Sequence, residues 1–205
     1  MARKNLDRFS QVKPTINFYS KKNRSLMFCE SYVEVGALLE LEFDPTISRY
    51  VTQPISFQLY RGNRKTRYTP DILVKAQDGS FWYEEVKSEN KAKLPKFIED
   101  HHFHASALLE GTGVSLKLRI SDAPHRCTYR QNLKYLYRFL DYGFDSQELG
   151  LFQSVDQPTA LGRIHRQLRA RGLSKIAAFA ALAQGLLGFN KKVRVNDDLI
   201  VLGDQ

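Results

Sequence analysis

Cysteine is scarce in this chain of 205 residues: Cys29 and Cys127 are the only two. Two thiols so far apart supply neither a disulfide framework nor the paired ligands of a structural zinc site. A reducing, cytoplasmic setting is the expectation. Long apolar runs are missing too. The longest, Ile176 to Phe189, is broken by Gln184, Gly185 and Gly188; it is too short to span a bilayer and reads as a core helix, so no membrane partner is expected. Met1 to Ser10 lacks the apolar run of a signal peptide. There is no internal repeat and no low-complexity tract. Acid is the remaining shortage: 22 Asp and Glu stand against 31 Lys and Arg, a net charge of +9. The rest of the composition is ordinary, 42% hydrophobic and 26% charged, so the excess points to a polyanionic partner, most commonly nucleic acid. The bland counterpart is a basic surface that merely keeps the chain soluble.

The charge is concentrated at the start. Residues 1–25 carry seven Lys and Arg against Asp7 alone, in a polar arm with little periodicity. Such an arm either follows phosphates or is a solvated terminus. Ser25 to Glu30 reads as extended. Ser31 then opens a helix with Val35, Leu38, Leu39 and Leu41 near one face, and Asp44-Pro45 stops it. Strand-like segments follow at Ile47–Gln53, Ile55–Tyr60, Lys65–Thr69, Asp71–Lys75 and Phe81–Lys87, punctuated by the turn signals Gly62-Asn63 and Asp78-Gly79. A helix is expected over Pro95–Glu110, ended by Gly111 and Gly113, then a strand over Val114–Ile120 and a helix over Arg130–Tyr142. These segments make an α/β core over residues 26–143. Gly143–Thr159 reads as a linker. A small C-terminal domain, residues 155–205, follows: an Arg-rich helix (Gly162–Arg171), an alanine-rich helix capped by Ser174, and a hairpin of Val193 and Val195 against Leu199–Val201 turning at Asn196-Asp197-Asp198. That order suggests a winged-helix-like module.

The chemistry-bearing residues flank the Asp78-Gly79 turn. Asp71 lies seven residues before Asp78 and Glu85 seven after it, so a hairpin centred there opposes the two within one residue of register. Opposed residues have Cβ atoms about 5 Å apart, and like charges so placed destabilise a sheet. A cation between them removes the repulsion, and hard oxygen donors without sulfur favour Mg²⁺ or Mn²⁺ over zinc. Strand alternation sets Lys87 on the face of Glu85. An ammonium there orients or deprotonates the attacking water, or offsets charge on a phosphate, which suits metal-assisted phosphodiester hydrolysis. The same residues also fit an exposed hairpin edge with scattered charges, Asp71 being a turn residue after Pro70. Glu34 has two readings as well: a metal ligand on the first helical turn, or the N3 residue of a capping box opened by Ser31. Glu30, Glu40 and Glu42 are competing acids.

Ser31-Tyr32-Val33-Glu34, Leu41-Glu42-Phe43-Asp44-Pro45, Gln53-Pro54, Tyr68-Thr69-Pro70-Asp71 and Glu85-Val86-Lys87, in that order, resemble the TnsA endonuclease family, as does Asn132-Leu133 with Leu136 further on. The resemblance covers about residues 15–142. It implies a restriction-endonuclease-like core of the PD-(D/E)xK superfamily, with Glu34, Asp71 and Glu85 as Mg²⁺ (or Mn²⁺) ligands and Lys87 as the catalytic lysine. Gln53 matches a family position near the site. The implied activity is cutting of the 5′ ends of a transposon in double-stranded DNA, beside a TnsB-type DDE transposase and under a TnsC-type AAA+ ATPase contacted through the C-terminal module.

Other features are weaker. His101 and His104 share a face of the helix in which they fall, with His102 beside them; a solvated or DNA-facing helix edge is the better reading than a metal site. Trp82 reads as core packing on the face opposite Glu85 and Lys87. Lys91, Lys93 and Lys96, just past the catalytic strand, are candidates for holding DNA beside the cut. Arg163, Arg166, Arg169 and Arg171, with Lys191, Lys192 and Arg194, serve either phosphates or an acidic protein partner. Two other functions fit this inventory: a non-catalytic DNA-binding adaptor on a nuclease fold, and a restriction, repair or phage nuclease.

Overall fold

Residues 15–203 are described here from a computed structural model. The first elements are β1 (Ile16–Ser20) and β2 (Ser25–Cys29), an antiparallel hairpin with Phe18 opposite Met27. Within the arm expected over residues 1–25, the described part is a hairpin instead, and residues 1–14 lie outside the described residues. The described part pairs because Phe18 and Ser20 alternate inward, a period too short and too polar to stand out in sequence. The lysines at the turn are clamps. Lys21 pairs with Asp141 at 3.1 Å, and Lys22 donates to the carbonyls of Asp44 and Ile47. Beneath them the carboxylate of Glu42 is buried and fully satisfied, by the Ser20 and Tyr50 hydroxyls at 2.6 and 2.5 Å and by the Lys21 and Lys22 amides. Glu42 is therefore an anchor.

Helix α1 (Tyr32–Glu42) starts at Ser31, whose hydroxyl accepts the Glu34 amide. Next come β3 (Ile47–Thr52), the hairpin of β4 (Phe57–Arg61) and β5 (Arg64–Tyr68), then β6 (Ile72–Ala76) and β7 (Phe81–Lys87). After the short α2 (Glu89–Ala92), helix α3 (Pro95–Thr112) carries the chain back to β8 (Leu116–Ile120). The chain is α/β with a mixed sheet of order β3-β6-β7-β8, antiparallel except for β7 and β8. Alternation divides the sheet's two faces. Ile72, Val74 and Val86 pack with Leu38, Leu39 and Leu133, whereas Leu73 and Tyr83 pack with Leu108, Leu116 and the β4–β5 residues Leu59 and Tyr68. Burying each such leucine contributes about 1.5–3 kcal/mol. The β4–β5 pair is a separate ribbon outside the main sheet.

Helix α4 (Thr128–Leu136) passes into a 3₁₀ turn at Tyr137–Phe139, shorter than the helix expected over Arg130–Tyr142. The expected linker is instead largely α5 (Ser146–Gln153). Asp145 and Glu148 close a reciprocal capping box, and Leu151 and Phe152 are fully buried. The Asp-x-x-Glu signature was present, but two core residues in eight made no visible period. Then follow β9 (Thr159–Ala160), α6 (Leu161–Ala170), α7 (Ile176–Gln184), β10 (Leu187–Phe189) and β11 (Ile200–Gly203), with an antiparallel sheet of order β10-β11-β9. The apolar run read as one helix is split, because Gly185 at φ 83° ends α7 and a strand follows.

The hairpin partner also differs from expectation: β11 pairs with β10 and β9, and Val193 and Val195 lie in no strand. The buried Asn132 side chain satisfies their backbone instead of a ladder. Its amide donates to the carbonyls of Lys191 and Val193 at 2.9 and 2.7 Å, and its oxygen accepts from Val195 at 3.3 Å. One continuous core joins this module to the rest, with Leu136 of α4 packed among α5, α6 and α7 residues. Among the described residues no helix is long and apolar enough to cross a membrane.

Gly36 marks the tightest approach of α1 to the rest of the sheet layer, since a Cβ there meets the Asp122 carbonyl oxygen at 2.0 Å. Gly36→Ala is expected to cost roughly 1–3 kcal/mol by overpacking. Gly111→Ala, with nothing within 4 Å, is expected to be neutral or to stabilise by up to about 1 kcal/mol. Urea unfolding midpoints of the two variants give the comparison.

Candidate active site

The register Ile72↔Glu84 continues by one pair to set Asp71 opposite Glu85. Both point to the α3 side, the side of Leu73 and Tyr83, by the two-residue alternation of strands. Asp71 Oδ2 accepts the Val86 amide at 2.7 Å, which fixes the carboxylate against the end of β7. The Lys87 ammonium lies 2.5 Å from Glu85 Oε1 and 3.4 Å from Asp71 Oδ2, and it also donates to the Val86 carbonyl. Tyr68, at the base of the ribbon, donates its hydroxyl to Glu85 Oε2 at 2.5 Å. All three charged side chains are largely withdrawn from water, at 22% exposure for Asp71, 13% for Glu85 and 27% for Lys87.

Burial, followed by the neighbouring charge of Glu85, pushes the Asp71 carboxyl up to about 7, against the opposing pull of Lys87 and the Val86 amide. Glu34 adds a smaller push in the same direction. For Lys87, burial works to lower the pKa, but the two carboxylates and their hydrogen bonds outweigh it and hold the ammonium charged. The Tyr68 phenol is driven well above its usual range by burial and by Glu85, so it remains a donor. One ammonium therefore faces two carboxylates, and the negative charge is incompletely offset.

Helix α3 walls the site. The His104 ring stacks on Tyr68 with centroids 3.9 Å apart, Phe97 lies under Lys87 at 5.8 Å, and His101 packs against Phe97. Burial lowers the pKa of both histidines, so they stand as neutral imidazoles at neutral pH. The buried Nδ1 of His101 has no hydrogen-bond partner among the described residues. The three-residue spacing of His101 and His104 was visible in sequence. What it did not carry was which side of the sheet α3 covers, so the contact with Tyr68 was missed.

The remaining expected residues fall as follows. Glu34 spends its carboxylate on its own helix start, accepting the Glu30 amide at 2.9 Å and the Ser31 hydroxyl at 2.7 Å. Among the described residues no three His, Cys, Asp or Glu side chains gather as a metal-holding group. Gln53 sits beside Asp71 through its backbone, donating its amide to the Asp71 carbonyl at 2.9 Å from a left-handed φ of 46°, and its side chain donates to Glu30. Lys91, Lys93 and Lys96 are exposed on α2 and the first turns of α3; Lys93 pairs with Glu89 and Lys96 with Asp100. Trp82 lies on the far face, its indole donating to Glu84 and its ring under the Lys117 ammonium at 3.7 Å.

The chain matches no protein-family model and no curated protein.

The raised Asp71 pKa has a sign. A carboxyl that holds its proton more tightly folded than unfolded favours folding at acidic pH, and that contribution is lost as pH rises through the folded value of about 7. Asp71→Asn keeps an acceptor for the Val86 amide and removes the ionisation. With chelator present, the variant is expected to melt higher than wild type at pH 8 by at least about 4 °C, the shift of roughly 1–2 kcal/mol in a chain of this size. The gap closes toward pH 4. Parallel melting curves from pH 4 to 8 would contradict the burial of this charge.

Proposed function

We propose that this protein is a metal-dependent DNA endonuclease with a restriction-endonuclease-like core, cutting the 5′ ends of a transposon. The observation that carries the reading is the opposed pair Asp71 and Glu85 with the Lys87 ammonium against both. The donor set fits a hard divalent cation: two carboxylates whose charge one ammonium offsets incompletely. Asp71 and Glu85 would hold it, and Glu34, whose charge reaches Asp71 while its two oxygens accept cap hydrogen bonds, is the third candidate ligand. A bound Mg²⁺ or Mn²⁺ supplies Lewis acidity toward the phosphate and lowers the pKa of its water.

The chain's own groups do the rest. Lys87 offsets charge building on the phosphate or orients the attacking water. Tyr68 and the Val86 amide fix the two carboxylates in place, and the α3 wall limits the access of bulk water. The ordered motifs from Ser31 to Lys87 that resemble the TnsA family support the transposon context. With it come double-stranded DNA, a TnsB-type transposase and a TnsC-type ATPase as partners. The C-terminal elements, helix, strand, two helices and two strands in an antiparallel sheet, follow winged-helix order. Six of the nine residues of α7 are buried, which favours protein docking by this module over reading a groove with that helix.

A second reading, a DNA-binding adaptor, draws on one observation. With Lys87 bridging the carboxylates and Glu34 capping its own helix, the site is already paired without a cation.

The test is cleavage of transposon-end DNA by the reconstituted complex with Mg²⁺. Asp71→Ala is expected to lower 5′-strand cutting by at least about 100-fold, while far-UV circular dichroism and duplex affinity stay as in wild type. Undiminished 5′ cutting by Asp71→Ala removes the site assignment. A wild type that binds DNA but fails to cut it whichever divalent cation is supplied favours the adaptor.

A further inference from the structure

The β4–β5 ribbon carries four cations, Arg61, Arg64, Lys65 and Arg67, and no acid. It stands outside the main sheet, and an isolated two-stranded hairpin is only marginally stable in water. Its inner face explains how it persists. Phe57, Leu59 and Tyr68 pack against Tyr83 and α3, and Arg61 fastens the tip, 3.1 Å from Asp100 and over the Phe103 ring at 4.4 Å.

The outer face has no such partner. The register opposes Gln58 to Arg67 and Tyr60 to Lys65, and all four side chains are exposed, Tyr60 at 63%. Among the described residues neither Lys65 nor Arg67 pairs with a carboxylate; Arg67 donates only to the Ser56 hydroxyl at 2.9 Å. At the tip Arg61 opposes Arg64 directly, a like-charge pair that weakens a ladder. The ribbon therefore presents glutamine, tyrosine, lysine and arginine outward, rigidly backed and with its charge uncompensated. Its base reaches the candidate active site through Tyr68 and Glu85.

We infer that the outer face of this ribbon lies in the major groove of duplex DNA beside the position that is cut. The inference rests on the DNA-cutting reading for its ligand class, and its own content is the element that holds the duplex. The major groove, about 12 Å wide, admits a two-stranded ribbon. Lys65 and Arg67 supply charge to the phosphate walls, and Gln58 and Tyr60 face the base edges. An acidic protein surface would also match the charge. The ribbon's width and its attachment at Glu85 favour DNA.

Fluorescence anisotropy with labelled duplex, titrated over a range of salt, gives the test. The double substitution Lys65→Ala with Arg67→Ala removes outward side chains that the core does not use. It is expected to weaken binding and to flatten the slope of log affinity against log salt by about 1.8, two phosphates at ~0.9 each. Lys65→Arg with Arg67→Lys retains wild-type slope. Prior methylation of guanine N7, which lines the major groove, is expected to weaken wild-type binding more than that of Gln58→Ala with Tyr60→Ala. Unchanged affinity and slope in a folded Lys65→Ala, Arg67→Ala protein overturn the inference and leave the acidic-protein partner in its place. Indifference of the wild type to N7 methylation overturns the groove. Asp71→Ala, which tests the cutting site, is expected to bind as wild type, so the two readings fail by different measurements.

Discussion

Two carboxylates facing each other across an antiparallel ladder form the constraint around which this protein is arranged. Left alone, Asp71 and Glu85 repel at close range inside a partly dry pocket. Every neighbouring group answers that repulsion. Lys87 is inserted against both acids, the Val86 amide fixes one carboxylate, and the Tyr68 phenol fixes the other. The compensation is partial, as the upward displacement of Asp71 records. On the proposed reading, that surplus of negative charge is what a divalent cation would offset, and the rigidity of the strands that hold it matters as much as the charge.

The rigidity comes from the other face of the same strand. Where Glu85 and Lys87 turn toward α3, Glu84 turns away and is almost fully buried at 3% exposure. Arg119 of β8 grips it through Nε and, at 2.7 Å, through Nη2, and Arg119 also approaches Glu40 of α1. Glu40 in turn holds Arg130 of α4 at 2.7 Å. This chain of charges ties two strands and two helices behind the site. Removing one member of such a pair leaves a buried charge unmatched, at about 3–5 kcal/mol, so the network favours a single packing arrangement over alternatives. One strand thus carries structural ions on one side and candidate catalytic ions on the other, separated by a single residue step.

Much of this was legible before any coordinates. The opposition of Asp71 and Glu85 followed from counting outward from Asp78-Gly79, and strand alternation put Lys87 on the right face. These are local rules with a period of two, and they survive folding. What escaped were features that depend on tertiary partners. The sequence offers no sign that Asn132 satisfies the backbone of Val193 and Val195 in place of the expected hairpin, whereas the capping role of Glu34 was already one of its two readings beside Ser31. Helix α5 escaped because only two of its apolar side chains, Leu151 and Phe152, are fully buried. His101 and His104 were visible as a pair, but their place against Phe97 and Tyr68 depends on which face of the sheet α3 crosses. Residues 1–14 lie outside the described residues, so that part of the expected arm is neither supported nor corrected.

The joint between the two halves of the chain has a consequence for its evolution. Leu136, Tyr135 and Phe139, at the end of the first half, bury themselves among residues of α5, α6 and α7, and Gln184 reaches back to the carbonyls of Phe139 and Tyr142. A unit seated this way does not behave as an interchangeable cassette. Recombination that swapped the C-terminal part for an unrelated module would strip an aromatic surface bare on the first half. Point changes on the outward side of α6 and its neighbouring loops leave that junction untouched, so that is where the C-terminal part can vary at least structural cost.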